Sequence, residues 1–372
     1  MLTPLDDYPV HQTPLPIAHP ASGDPNHYDR YWFNGYRDDL YFGIAMATYP
    51  NRDIIDAAFS VVANGRQRSV FASGRLPRDR RETKIGPITI EIVEPLRVNR
   101  ITVDAPEQGL AADLTYRART VAIEEPRQTL YQENRLVLDS TRLTQWGGWQ
   151  GSIDNDGTRI DVEPANTLGT KDRSWGVRPV GAPTPIAPQS NLPQVFFLWA
   201  PLQFEDCCTH FMVFERSDGS PLVKSGAIIP LLADEDAPTW GVDNAYEHLA
   251  GGEHDIAWAP GLRRSQRAEL TLRRNNGSAE LIHLEPLLTF RMRGIGYMHP
   301  ERGHGHWQGE LAVSGEDLSV EELDSVEPWS IHVQQVMRCA WGARSGLGVL
   351  EQLAIGPHEP SGLTGILDGY AG

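Results

Sequence analysis

Period-two alternation of apolar and polar side chains is the feature that most constrains this chain. Ile88, Ile90 and Ile92 alternate with Thr89 and Glu91, and Leu270 and Leu272 alternate with Glu269, Thr271 and Arg273. Successive side chains of an extended backbone point to opposite faces, so these stretches read as strands with one face in a core and one in solvent. Turn sequences separate them. Ala105-Pro106-Glu107-Gln108-Gly109 lies in the first half, and Asn275-Asn276-Gly277-Ser278, where Asn-Gly favours a tight hairpin, lies in the second. With 35 glycines and 28 prolines supplying further breaks, the chain is expected to be mainly antiparallel β. The clearest helical candidate starts at Ser319, with Glu322 three residues later as in a capping box, and stops before Pro328.

At 372 residues the chain can bury two cores. Prolines cluster from Pro179 to Pro188, and repeated proline favours an extended spacer. The expected organisation is an N-terminal β domain over 1–180, a linker over 181–193 and a C-terminal β domain over 194–372. The halves read as divergent copies, because Trp146-Gly147-Gly148-Trp149-Gln150-Gly151-Ser152 parallels His304-Gly305-His306-Trp307-Gln308-Gly309-Glu310.

The net charge of −16 works against binding nucleic acid, which requires Lys and Arg to neutralise phosphates, and against docking on anionic membranes. No apolar run approaches the ~18 residues of a membrane span. The first residues lack the basic-then-apolar pattern of a secretory leader. Three cysteines cannot make a disulfide framework, and Cys207 and Cys208 would point to opposite faces of a strand. These features together suggest a cytoplasmic protein with reduced thiols. The sequence has no phosphate-cradling Gly-Lys-Ser/Thr loop, no dinucleotide fingerprint and no Gly-x-Ser-x-Gly elbow, so no cofactor is expected.

The run Thr170-Lys171-Asp172-Arg173-Ser174-Trp175-Gly176-Val177-Arg178 crowds Asp, Arg and Trp into a few residues just before the proline cluster. It resembles the Asp-(His/Arg)-x-Trp-Gly-x-Arg signature of the lipocalin-like proteins related to carotenoid 1,2-hydratase, which include AttH proteins. The resemblance extends to Tyr31-Trp32-Phe33. It implies two tandem lipocalin-like barrels or curved sandwiches with little helix, enclosing an apolar cavity. It also implies reaction through a carbocation, with Trp175 at the cavity and Arg173 in place of a family histidine. Where the hydratases supply a proton donor from a later Tyr-x-Asp pair, this chain reads Phe197-Leu198-Trp199.

If the run is extended, Asp172 and Ser174 share one face, and Arg173 and Trp175 the other. Asp172, Arg173 and Trp175 are therefore candidate catalytic residues, or else a staple between domains. Asp56, which interrupts Ile54-Ile55-Asp56-Ala57-Ala58-Phe59, is a second candidate acid if it faces a barrel interior. His304, His306 and Glu310 have the spacing of half a cupin metal motif. The complementary His segment is missing, so no metal is expected, and His306 and Glu310 stand as candidate acid–base groups or structural residues. Tyr31, Tyr36, Trp199, His304 and His332 are candidate substrate contacts; His332 and Glu351 also read as wall residues.

These observations point to acid–base addition or elimination of water on an isoprenoid or other small hydrophobic alkene or tertiary alcohol. Cyclisation or isomerisation in the same cavity, a non-enzymatic carrier and a cupin-like metalloenzyme are the alternatives. A buried acid beside the ligand would mark an enzyme, and a uniformly apolar cavity a carrier.

Overall fold

The computed structural model describes residues 2–181, 193–241 and 245–371. The expected linker 181–193 falls almost wholly outside the described residues. Two antiparallel sheets of 13 and nine strands make up the architecture, one forming a nearly closed barrel and the other a half-barrel. No helix among the described residues is long and apolar enough to cross a membrane.

The first sheet runs from Arg66–Arg75 through Ile54–Ala63, Leu40–Tyr49, His27–Arg37, Leu168–Val177, Arg135–Asn155 and Leu110–Ala118 to Val98–Ala105 and beyond. One strand comes from far along the chain: Leu311–Ser319 pairs with Arg66–Arg75 along its whole length. The first barrel therefore borrows an edge from the second half of the sequence. The second sheet is centred on Cys207–Glu215, Val195–Phe204, Arg344–Ile355 and Val333–Trp341.

Each barrel interior is filled by its own apolar cluster. Phe33, Phe42, Phe59, Tyr116 and Trp149 pack inside the first, and Phe196, Phe211, Leu270, Leu284 and Trp341 inside the second. A third cluster joins the outer faces of the two sheets, with Trp32, Tyr36 and Tyr41 meeting Trp199, Phe290 and Val349. Strands at this seam are covered on both sides, so Leu40–Tyr49 and Val195–Phe204 are buried almost throughout. Their near-continuous apolar sequence is what two-sided burial demands.

Both expected turns form. Gly277 at φ +87° closes the hairpin after Arg273, with Gly277 N–H donating to the Arg274 carbonyl at 3.0 Å. Gly109 at φ +69° ends the short turn Pro106–Gln108. Leu270 and Leu272 are buried as the alternation requires, but Ile92 is exposed, next to a register shift before the pairing resumes at Glu94 and Val98. Cys207 and Cys208 are free, and they pack into different clusters on opposite faces.

Two expectations fail. No helix forms after Ser319: bonds from Leu323 N–H to the Ser319 carbonyl and from Asp324 N–H to the Glu321 carbonyl close only isolated turns. Asp324 is then tied to Arg264 and Arg291, which fixes the chain before a second helical turn can add. The two Trp-Gln-Gly segments are also not equivalent. Trp149 is fully buried in the strand Arg135–Asn155, whereas Trp307 is 50% exposed in a loop and stacked on Arg75.

Trp149 meets Phe33, Phe42 and Tyr116 edge-on, and its indole N–H donates to the Asn34 carbonyl at 2.8 Å. Trp149→Ala should leave a large cavity and an unpaired carbonyl, destabilising the protein by about 3–5 kcal/mol. Urea unfolding measures this directly, with a midpoint shift at unchanged slope.

Candidate functional site

The register of the seam strands lays out one wall of the site. Arg30, Ser174 and Arg142 lie directly across from one another on three adjacent strands. Trp32, Asp172 and Thr144 form the next row. Because alternate side chains share a face, Arg30 and Trp32 project to the same side as Asp172 and Ser174, away from the first barrel's interior. The opposing wall comes from the second sheet and the connection between its strands Ala279–Arg291 and Val333–Trp341, through Phe197, Phe214, Tyr297, His332, Glu351 and Leu353.

Between them is a cavity of about 500 Å³. Leu130, Val137 and Leu138 of the long hairpin over one end add to its apolar lining. The cavity lies between the barrels, because both barrel interiors are already packed.

Asp172 is buried, with the Arg142 Nε at 3.1 Å from its carboxylate. Burial raises its pKa to about 6. Arg142 and Arg30 pull in the opposite direction, while nearby Glu125 and Glu351 push the same way as burial. A carboxyl in this position retains its proton far better than one in water.

On the facing wall, His332 Nε2 lies 2.7 Å from Glu351 Oε1, and Gln334 donates to Glu351 Oε2 at 2.6 Å. Burial tends to raise the Glu351 pKa, but His332, Arg142 and Gln334 outweigh it and hold the carboxyl below its ordinary value. The Glu351 carboxylate accepts from Nε2, and His332 Nδ1 is buried without a partner.

Tyr297 stands beside this pair, its ring edge-on to His332 at 4.5 Å. Its hydroxyl accepts from Arg30 Nη1 at 2.6 Å and from Arg178 Nη1 at 2.9 Å. Burial opposes ionisation of the phenol, but the two guanidiniums prevail and lower its pKa.

The residues singled out in the sequence are divided by the alternation itself. Asp172 and His332 line the cavity, but Arg173 and Trp175 point to the other face of the strand. Arg173 stacks on Tyr31 at 3.7 Å and pairs with Asp29, and Trp175 is 40% exposed. Trp32, one strand over, is the indole that borders the cavity. Tyr31 packs on the first barrel's core, and Tyr36 is fully buried with its hydroxyl accepting from Gln203. Trp199 lies under the site, donating to Glu125 at 3.2 Å, with Arg142 over its ring.

Asp56 sits outside the main cavity. It lines a neighbouring space of about 30 Å³ with Arg30 and His304, accepts from Tyr49 and from Gly305 N–H, and has a pKa raised to about 6 by burial. His304 makes a 2.7 Å bond from Nε2 to the Ile295 carbonyl; burial and then Arg30 and Arg178 hold its pKa well below the ordinary value. The half-motif does not converge, because 304–310 is a loop and not a strand. Glu310 is exposed and bound by Arg75, and His306 packs separately. No group of three or more His, Cys, Asp or Glu among the described residues could hold a metal ion.

Arg30, Arg142 and Tyr297 were not singled out in the sequence. Arg142 and Arg30 carried a faint signal as charges at face-sharing positions of otherwise half-buried strands. Tyr297 follows a one-turn 3-10 segment and carried none.

The chain belongs to a family of unknown function (DUF8625), whose model matches residues 2–364. No curated protein matches its sequence. Among solved structures it is similar to an AttH-type protein from Nitrosomonas europaea, with a TM-score of 0.53 at 12% identity, covering 88% of this chain and 92% of that one. It is also similar to kievitone hydratase from Nectria haematococca, with a TM-score of 0.52 at 11% identity, covering 87% of this chain and 88% of that one. These likenesses establish the lipocalin-like fold.

Removing the guanidinium nearest Asp172 should make its anion harder to form. Arg142→Gln is expected to lift the Asp172 pKa above about 6. A carboxyl-carbon NMR titration of aspartate-labelled protein, with Asp172→Asn to assign the resonance, reads the shift.

Proposed function

We propose that this protein is a cofactor-independent acid–base hydratase or dehydratase acting on a small hydrophobic alkene or tertiary alcohol of isoprenoid type. The observation that carries the reading is the pairing of opposite chemistries across one cavity. A protonatable carboxyl, Asp172, stands on one sheet, and an imidazole anchored by a carboxylate, His332 with Glu351, stands on the other. A carrier needs neither group. The likeness to a hydratase fold supports the reading at the level of analogy.

In the hydration direction, the Asp172 hydroxyl gives its proton to one alkene carbon, and positive charge develops on the more substituted neighbour. The faces of Trp32 and Phe197 border the cavity and stabilise that charge. Water forms the new carbon–oxygen bond and passes its proton to His332 Nδ1, while Glu351 stabilises the resulting imidazolium. The product is the alcohol. Asp172 and His332 return to their starting states by proton exchange with solvent. Dehydration is the same path reversed. Cyclisation or isomerisation would use the same acid, but an internal nucleophile or proton loss would replace water.

The test is turnover of isoprenoid alkenes and tertiary alcohols, read by mass spectrometry as gain or loss of one water. Asp172→Asn should cost about 10²–10⁴-fold in kcat, the usual range for a positioned acid. The acid acts in its protonated form, so hydration should decline as pH rises through about 6. Full turnover in both Asp172→Asn and His332→Gln, in folded protein, would assign the chemistry to other groups.

A further inference from the structure

The charge around the cavity is unbalanced. In a chain of net charge −16, four arginines line this one space, Arg30, Arg135, Arg142 and Arg178. Arg142 is matched by Asp172 at 3.1 Å. Arg30 and Arg178 have no carboxylate within ion-pair distance among the described residues. Their best partner is one phenol oxygen, that of Tyr297, which both of them donate to. Arg30 is only 3% exposed. Arg30 Nη2 and Arg178 Nε are buried donors without any partner, as is the indole N–H of Trp32 beside them on the same wall.

A buried guanidinium without a directly paired carboxylate is costly, even with Asp56 and Asp172 in the vicinity, and a phenol oxygen satisfies only part of its hydrogen-bonding capacity. Two such groups sharing one wall of the cavity, with donors left over, form an anion site. We infer that the cavity binds amphipathic carboxylic acids, with the carboxylate held by Arg30 and Arg178 against Tyr297 and the hydrocarbon chain lying along Leu130, Leu138 and Phe197. The planar forks of two arginines match the two oxygens of a carboxylate. The lining holds no lysine, the compact point charge that commonly binds phosphate groups. The inference deepens the proposed function and rests on the same cavity as the substrate site. It places the polar head next to His332, whose ring contacts Tyr297, and so orients the alkene between base and acid.

Matched isoprenoid probes test the head group independently of turnover. Geranic acid, geraniol and geranyl phosphate share a carbon skeleton, and calorimetric titration at neutral pH gives each affinity. Geranic acid should bind the native protein at least about tenfold tighter than geraniol, the scale of one charge-assisted hydrogen bond. That advantage should disappear in Arg178→Gln and in Arg30→Gln, and should persist in Asp172→Asn. Arg178→Lys keeps the charge but loses the fork, and should retain part of it; this variant answers the question if the glutamine variants do not fold. Equal affinity for acid and alcohol, no measurable binding of the acid, or tighter binding of the phosphate would overturn the inference. A carboxylate preference without any hydration would count against the proposed reaction alone, and hydration without the preference against this inference alone.

Discussion

The seam between the two sheets is the constraint on which the rest depends. Both barrels are filled by their own side chains, so any chamber has to form where their outer walls meet. Aromatic residues close most of that contact, and buried amides satisfy the polar backbone and side-chain groups trapped there. Gln203 donates to the Gly147 and Gly169 carbonyls, Gln334 accepts from Asn34 and Tyr41, and Gln67 exchanges two bonds with the Arg291 backbone. Each of these amides spans from one sheet to the other. Leaving them unpaired would cost far more than the bonds contribute, so the relative placement of the sheets is tightly defined.

That placement sets the chemistry. Asp172 and His332 are 160 residues apart in sequence, one within the first sheet and the other just before the strand Val333–Trp341 of the second, yet they line one cavity because the sheets are held together at the seam. The low dielectric of the seam raises the Asp172 pKa to about 6, and the hydrogen bonds of His332 and Gln334 hold the Glu351 pKa below its ordinary value. Two carboxyls in one cavity thereby have their pKa values pushed apart, the arrangement that suits an acid and an anchored base working together.

Much of the fold was legible along the chain. Alternation at Leu270 and Leu272 and the Asn-Gly turn at Gly277 are local properties, and they formed as read. The helix expected after Ser319 did not, because two arginines distant in sequence claim Asp324. Local capping preference is worth a fraction of such an ion-paired clamp. The Trp-Gln-Gly parallel also misled, since three matching residues carry no information about whether their surroundings are a strand or a loop.

For the site, the sequence by itself determined that Asp172 and Ser174 share one face of a strand while Arg173 and Trp175 share the other, since that follows from backbone geometry alone. Only the tertiary structure decided which face would be buried against a second sheet. The answer turned on the pairing of Leu168–Val177 between His27–Arg37 and Arg135–Asn155, which brings Arg30 and Arg142 beside Ser174. Tyr297, His332 and Glu351 then enter from the other half of the chain. Periodicity is fixed by neighbouring residues, whereas the choice between two faces depends on what packs against them, and no local pattern encodes that partner.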